Sequence, residues 1–306
     1  MTSPAILLVG GTGLLGGQIA RRLARDGVSF RALVRPTSDA SALRALGAEI
    51  AGGDMRDTAS LDAACAGVGT VFSTANALAR LLGGDRSVSI ASVDDAGNAN
   101  LLAAAERAGV GRFVFLSMGG GVMDSHSPIV DAKRRMEERL TASRIHEVIV
   151  RPDMFQEVWL SPAVGFDWQK QSVRVYGKGR TPHRYVAVGD VAEAVVRLVA
   201  AGDPPRAVEL EGPGAISRLE AVAAFERALG TPVKVSHVPR AALVVGSTLL
   251  RPIKPELASV MSGALFADRN PSPGTEQGFV ELGIRPRSVG VYIDEVAAGG
   301  SSSGSR

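Results

Sequence analysis

The stretch Ala5 to Leu23, AILLVGGTGLLGGQIARRL, limits the fold more than any other part of the chain. Apolar residues run straight into a glycine-rich turn, and the turn opens into an amphipathic segment, which predicts a strand, a phosphate loop and a helix. Gly10, Gly13 and Gly16 stand at GxxGxxG spacing, while Gly11, Gly13 and Gly16 also satisfy GxGxxG. Glycine at the tight turn permits positive φ, glycine at the approach point lets a phosphate reach backbone N–H groups, and Gly16 lets helix and strand pack closely. Along the helix, Arg21, Arg22 and Arg25 are set apart from the apolar Ile19, Ala20 and Leu23.

The length of 306 residues fits one large α/β domain or a nucleotide-binding domain with a smaller lobe grafted on, and 45% apolar residues make a globular composition. Net charge is only +3, with the cations scattered as single arginines, so nucleic-acid binding is not expected. Cys65 is the one cysteine, which excludes an internal disulfide and a CxxC metal site; it sits in the apolar LDAACAGV and reads as a small buried filler. The four histidines are isolated, with no HxH or HxxxH pair, so no metal site is expected. No basic region precedes the first apolar run, and no apolar run is long enough to span a bilayer, which predicts a cytoplasmic protein without a membrane partner.

Taken in order, Phe30 to Val34 reads as the second strand and ends at Arg35. At this place in a dinucleotide fold an acidic residue accepts the 2′-hydroxyl of NAD, whereas an arginine pairs with the 2′-phosphate of NADP, so Arg35 points to NADPH. The turn after the third strand carries Asp54, Met55 and Asp57. Asp54 is placed to accept from the adenine amino group and Met55 to cover the ring, while Asp57 fits best as the N-cap of a helix from Ala59 to Ala66. The strand Thr70 to Ser73 delivers Thr74, Ala75 and Asn76 to the carboxyl edge of the sheet, where ligand contacts gather. Residues 77 to 91 are irregular, contain Gly83-Gly84 and suit a mobile flap. A long helix from Val93, a strand from Phe113 to Leu116 ending at Ser117, a helix from about Ser127 to Ser143 carrying Lys133, and a strand from Glu147 to Val150 complete the alternation. Alternating strands and helices require a parallel sheet with right-handed crossovers.

Past Pro152 the regularity drops. The segment to about Val188 holds both tryptophans and two of the three tyrosines and suits a pocket wall. A helix from Gly189 to Ala201 is followed by a strand (Ala207 to Leu210), a helix (Leu219 to Leu229), a strand (Val233 to Val238) and helical stretches to about Phe266. The expected division is a cofactor domain over 1–152, to which the helix 189–201 returns, a substrate lobe from 153–188 and 202–298, and a flexible Gly/Ser-rich tail over 299–306.

Several stretches together resemble the NmrA-like branch of the atypical short-chain dehydrogenases/reductases, which includes quinone reductase-like and isoflavone reductase-like proteins. They are ILLVGGTGLLGGQIARRL; ALVR with GAEIAGGDMRD; AGNANLLAAAERAGVGRFVFLS; AKRRMEERL leading to VIVRPDMF; DVAEAVVRLV; and ELEGPGAISRLEAVAAF, in the family's order over most of residues 5 to 230. The resemblance implies an α/β fold: a doubly wound parallel Rossmann sheet with a smaller C-terminal substrate lobe and a cleft between them. It further implies that Gly10, Thr12, Gly13, Leu14 and Leu15 belong to the pyrophosphate loop, that Arg35 meets the 2′-phosphate and Asp54 with Met55 the adenine, and that Thr74 to Asn76 pass beneath the nicotinamide ribose. Lys133 falls at the family's active-site lysine and Ser117 near the superfamily's serine. The tyrosine of YxxxK is replaced by Ile129.

Without that phenol, the proton that follows hydride transfer needs another source. Lys133 is the first candidate, directly or by a relay through the ribose hydroxyl, and His126, His183, Tyr176 and Tyr185 are the others. The expected activity is an NADPH-dependent reduction of a ketone, quinone or conjugated double bond in an apolar aromatic small molecule, by a monomer or homodimer. A cofactor-binding redox sensor of the NmrA type is the alternative, favoured by Ile129, and a redox-neutral isomerase is a third reading.

Overall fold

The computed structural model describes residues 6–303 and falls into two compact units. The first comprises Met1–Ser117, Pro128–Arg151 and Val191–Val208; the second comprises Met118–Ser127, Pro152–Asp190 and Glu209–Arg306.

The first unit is built on strands β1 (Ile6–Val9), β2 (Phe30–Val34), β3 (Glu49–Gly52), β4 (Thr70–Ser73), β5 (Arg112–Leu116) and β6 (His146–Pro152). Helices α1 (Leu14–Arg25), α2 (Ser41–Ala45), α3 (Thr58–Cys65), α4 (Leu78–Leu82), α5 (Ala96–Arg107) and α6 (Pro128–Ala142) alternate with them. The sheet order is β10-β6-β5-β4-β1-β2-β3, where β10 is Ala207–Leu210. Register is parallel throughout the inner pairs, with Ile6 opposite both Phe30 and Thr70. At the far edge Ile149 N–H donates to Arg206 O (2.8 Å) and Asp153 N–H to Leu210 O (2.9 Å); both strands advance by four residues, so β10 is parallel too. This is the doubly wound sheet the alternation predicts, and its switch point lies where β1 is flanked by β2 and β4.

Parallel strands covered on both faces must be apolar throughout, and ILLV of β1 is buried at every position. Phe72, Phe113 and Phe115 have at most 1% of their surface exposed, each contributing about 1.5–3 kcal/mol by burial. Asp57 caps α3 by accepting from Ala59 N–H at 3.1 Å, and Cys65 is fully buried in the same helix, as expected of both. The helix expected from Val93 is interrupted: Ala91–Asp95 form a π-helical turn before α5 begins. Residues between β4 and this turn, expected as a flap, are tied by Arg80 to Asp85 (2.6 Å) and by Arg56 Nη1 to Ser87 O (2.8 Å).

The second unit contains more regular structure than its sequence suggests. β7 (Phe166–Asp167), β8 (Ser172–Tyr176) and β12 (Lys234–Val238) form a three-stranded sheet, and β9 (Pro182–His183) pairs with β11 (Ile216–Ser217). β8 alternates buried Val173 and Val175 with exposed neighbours, a period of two short enough to be hidden among Gly and aromatic residues. The unit's helices are α7 (Gln156–Trp159), α9 (Arg218–Leu229), α10 (Arg240–Leu249), α11 (Pro255–Ala267), α12 (Gln277–Glu281) and α13 (Val289–Ser303), while α8 (Val188–Ala200) begins here and continues into the first unit. α9 starts with a reciprocal capping box between Ser217 and Glu220. Phe166 and Phe225 meet at 5.1 Å in a core shared with Val173, Val175 and Tyr185. α13 carries its helix into the stretch expected as a flexible tail, reaching Ser303, because extending a formed helix is easier than starting one. The remainder of that tail, 304–306, lies outside the described residues.

Candidate functional site

The glycine loop between β1 and α1 is made of backbone. Gly10 has φ +89°, and a Cβ there would collide with the Thr74 hydroxyl; a Cβ on Gly16 would overlap the Gly10 carbonyl. Gly13 N–H donates to Gly10 O at 2.9 Å, and Gly13 is itself the N-cap of α1, with no side chain closing the helix end and no acid in the first turn. Thr12, Gly13 and Leu14 are exposed, while Leu15 is buried and anchors the helix. The positive end of the helix dipole is thus open to an anion, with glycine surfaces beside it.

Arg35 follows β2, half-buried, with neither an ion pair nor a side-chain hydrogen bond among the described residues. Burial and then the neighbouring Arg80 lower its pKa, against the attraction of Asp54 and Asp85. Asp54, by contrast, is engaged: Arg56 holds both its carboxylate oxygens at 2.8 Å and lowers its pKa to about 2. Met55 is buried, and its carbonyl accepts from Asn100 Nδ2 at 3.2 Å. Thr74 is buried with its hydroxyl donating to Val9 O (3.2 Å), Ala75 is half-buried, and Asn76 is exposed with Oδ1 accepting from Leu78 N–H (3.1 Å).

On α6, Lys133 is 4% exposed. Its Nζ donates to Leu116 O at 2.7 Å and stands 4.5 Å from the Phe115 ring centroid. Burial lowers its pKa, while Asp94 and Glu137 oppose that shift. Asp94, fully buried in the π-helical turn, accepts Ala77 N–H on Oδ2 (3.0 Å) and has no partner for Oδ1 among the described residues; burial raises its pKa to about 6. Ser117 donates its hydroxyl to Glu137, which in turn pairs with Arg151 (2.6 Å), so the serine proton is committed. Ile129, one turn before Lys133, is 5% exposed.

Neither Asp94 nor the Glu137–Arg151 pair was identified from the sequence. Glu137 is four residues after Lys133 and therefore on the same helical face, a spacing that carries the information. Asp94 gives no such sign, since its burial is set by the turn that precedes α5.

The second unit holds a small pocket, partly open to solvent. Met154, Trp159, Tyr176, Tyr185, His183 and Arg218 are among its walls. Tyr185 is 2% exposed, and burial pushes its hydroxyl up to about 12, so it keeps its proton at neutral pH. Tyr176 donates to Val164 O at 3.2 Å. His183 donates from Nε2 to Ala267 O (2.9 Å), while its Nδ1 faces Ser272 Oγ at 3.5 Å; Ser272 also contacts Asp153. His126 lies in the loop before α6, and its carbonyl accepts from Ser262 Oγ at 3.3 Å.

The NmrA-like family profile matches residues 2–262. The chain is 31% identical over 232 residues to an NAD(P)H azoreductase of Xenophilus azovorans, covering 75% of each. It is 30% identical over 239 residues to the photosystem II assembly factor Ycf39 of Synechocystis sp., covering 78% of this chain and 72% of that one. In structure it resembles the NADPH-dependent quinone oxidoreductase QOR2 of Escherichia coli in complex with NADPH, with a TM-score of 0.74 at 20% identity over 95% of this chain and 99% of that one.

Proposed function

The chain belongs to the NmrA-like family, and on that footing we propose that it is an NADPH-dependent reductase of a ketone, quinone or conjugated double bond in an apolar aromatic small molecule. The observation that carries this reading is the open, glycine-lined N-terminus of α1 together with the uncommitted Arg35 at the end of β2. The similarity to an azoreductase supports it.

The residues present fit the cofactor. The backbone N–H groups of Leu14 and Leu15 at the start of α1 suit a pyrophosphate, and the missing Cβ atoms of Gly10 and Gly16 let the turn close against Thr74 and against the Gly10 carbonyl. Arg35 has donors free for a 2′-phosphate. Asp54 offers less than its position suggests, because its carboxylate is occupied by Arg56; Met55 and the Thr74 to Asn76 segment complete the surface. When bound, NADPH supplies a hydride.

The protein's part is then to hold the reactants, exclude water and provide a proton. Lys133 is the donor in this reading: burial makes its ammonium readier to release a proton, and the Leu116 carbonyl fixes the nitrogen in place. The Asp94 carboxylate favours the ammonium form, so the amine left after donation is driven to take a proton back from solvent. Ser117 is excluded from proton transfer by its bond to Glu137 and instead ties the end of β5 to α6. Tyr185, with its raised pKa, is a hydrogen-bond donor to ligand rather than an acid. Ile129 in place of a phenol is what assigns the proton to Lys133.

A titration with NADPH, NADP⁺, NADH and NAD⁺, followed by calorimetry, tests the cofactor. NADP(H) is expected to bind at least about tenfold tighter than NAD(H), and Arg35→Ala to remove the preference. Absence of any dinucleotide binding sinks the proposal. The relative that acts as an assembly factor favours a second reading, a cofactor-loaded partner protein. Tight NADPH binding with no oxidation of NADPH across a panel of quinones, ketones and azo compounds supports that second reading over the first.

A further inference from the structure

Arg218 is a buried charged group that the reductase reading leaves without a task. It is the first residue of α9 and is 8% exposed. Its guanidinium donates to three carbonyls, Trp159 O (2.8 Å), Arg174 O (3.2 Å) and Val164 O (3.3 Å), and lies 5.1 and 5.6 Å from the Phe166 and Tyr176 ring centroids. Among the described residues no carboxylate pairs with it. A guanidinium has five N–H groups, so these contacts leave two unspent. A buried cation balanced only by carbonyl dipoles and ring faces retains much of its desolvation cost, and an anion beside it recovers that cost.

The other ionisable groups of the pocket are already engaged. Asp268 is held by Arg240 (2.5 Å) and by the N–H groups of Lys178 (2.7 Å) and Gly179 (2.9 Å). His183 is held between Ala267 O and Ser272, next to Asp153. Tyr185 is different: its hydroxyl has no hydrogen-bond partner among the described residues, and it lines the same pocket as Arg218. An unbalanced positive charge, a free phenolic donor, and Trp159, Tyr176 and Met154 as apolar walls therefore line one pocket.

We propose that this pocket takes a planar aromatic molecule bearing one carboxylate-like anionic oxygen group, with Arg218 as the counter-charge and Tyr185 donating to the anionic oxygen. Arg218 is thus a specificity-determining residue that selects an aromatic acid over a neutral aromatic of the same shape. That this molecule is the substrate rests on the reductase reading; that the pocket binds it does not.

The test is calorimetric titration of the cofactor-free full-length protein with 2-naphthoate and with 2-naphthamide, a neutral molecule of nearly the same shape. Wild type is expected to bind the acid about tenfold or more tightly than the amide, the scale of one charge-assisted contact. Arg218→Gln is expected to equalise the two while leaving amide affinity within about threefold. Tyr185→Phe, which deletes a single hydroxyl, is expected to weaken the acid by about three- to tenfold and the amide less. If Arg218→Gln fails to fold because three carbonyls lose their donor, the wild-type comparison and Tyr185→Phe decide the matter. Equal binding of acid and amide by wild type, or no binding of either, overturns the inference. NADPH titration of the same preparation separates the two proposals: failure of naphthoate with intact NADPH binding removes only the aromatic-acid site, whereas the reverse removes only the reductase.

Discussion

The loop after β1 and the pocket of the second unit both present positive charge, but they make it from different material. In the loop it comes from peptide N–H groups at an uncapped helix end, shaped by glycines whose missing Cβ atoms let the turn fold tightly on itself. In the pocket it comes from one side chain, Arg218, held by carbonyls of the segment 159–174, some 44 to 59 residues away in sequence. A backbone site needs only a local run of residues, so it is compact in sequence and intolerant of any added atom. A side-chain site is assembled across long sequence separations, tolerates change nearby and depends on the charge it has buried.

The largest expected effect breaks the loop side of this comparison. Gly16→Val places a branched side chain on the Gly10 carbonyl, and NADPH affinity should fall by about 100-fold or more, read by fluorescence titration. Unchanged affinity would mean that the loop does not hold the cofactor. Lys133→Met comes next and sharpens the comparison within the first unit, because it removes a buried side-chain charge from the unit that carries the backbone-built site. Turnover with a reducible quinone should drop about 100-fold. Melting temperature should hold, since the buried ammonium is relieved of its desolvation and Asp94, with a pKa already raised to about 6, takes up a proton in its absence. A drop in melting temperature with turnover intact would assign Lys133 to the fold instead.

The smallest effect concerns the cost of buried charge in the second unit. Glu211 is 2% exposed, accepts Gly274 N–H on both oxygens (2.9 and 3.1 Å), and has a pKa raised to about 7 by burial and by Asp153. Its folded pKa lies above its unfolded value, so the folded state holds this proton more tightly, and the stability it contributes is full below about pH 4.5 and is lost as pH rises through about 7. Glu211→Gln keeps an acceptor for Gly274 without the ionisation. At pH 8 its melting temperature should exceed that of wild type by about 2–4 °C, with the difference gone at pH 4.5. A constant difference across that range would show that Glu211 does not titrate there.

Legibility in the sequence followed the same division. The strands Phe30–Val34, Thr70–Ser73 and Ala207–Leu210 were readable to the residue, because β-forming and apolar residues gather there in short runs between turn formers. Asp57 was readable as a cap because capping is a local bond. The β8 strand was missed, being five residues long in a segment dominated by Gly and aromatics, and the π-helical turn at Ala91–Asp95 had no local marker. Among the candidate site residues, those of the loop were visible in the spacing of glycines. The commitment of Ser117 to Glu137, of Asp54 to Arg56, and the uncompensated charge of Arg218 depended on partners that spacing does not reveal.

By itself, then, the sequence determined the doubly wound sheet, the glycine loop at its switch point, the arginine after β2 and the lysine on α6. Period, turn chemistry and helix capping act over a few residues, and those interactions are written contiguously. Only the tertiary structure decided how Lys133 and Asp94 share a buried environment, which hydroxyls keep a free proton, and that a lone guanidinium lines a pocket of aromatic walls. Burial and pairing are set by what other parts of the chain bring alongside, and it is burial and pairing that fix the charge and acidity of a side chain.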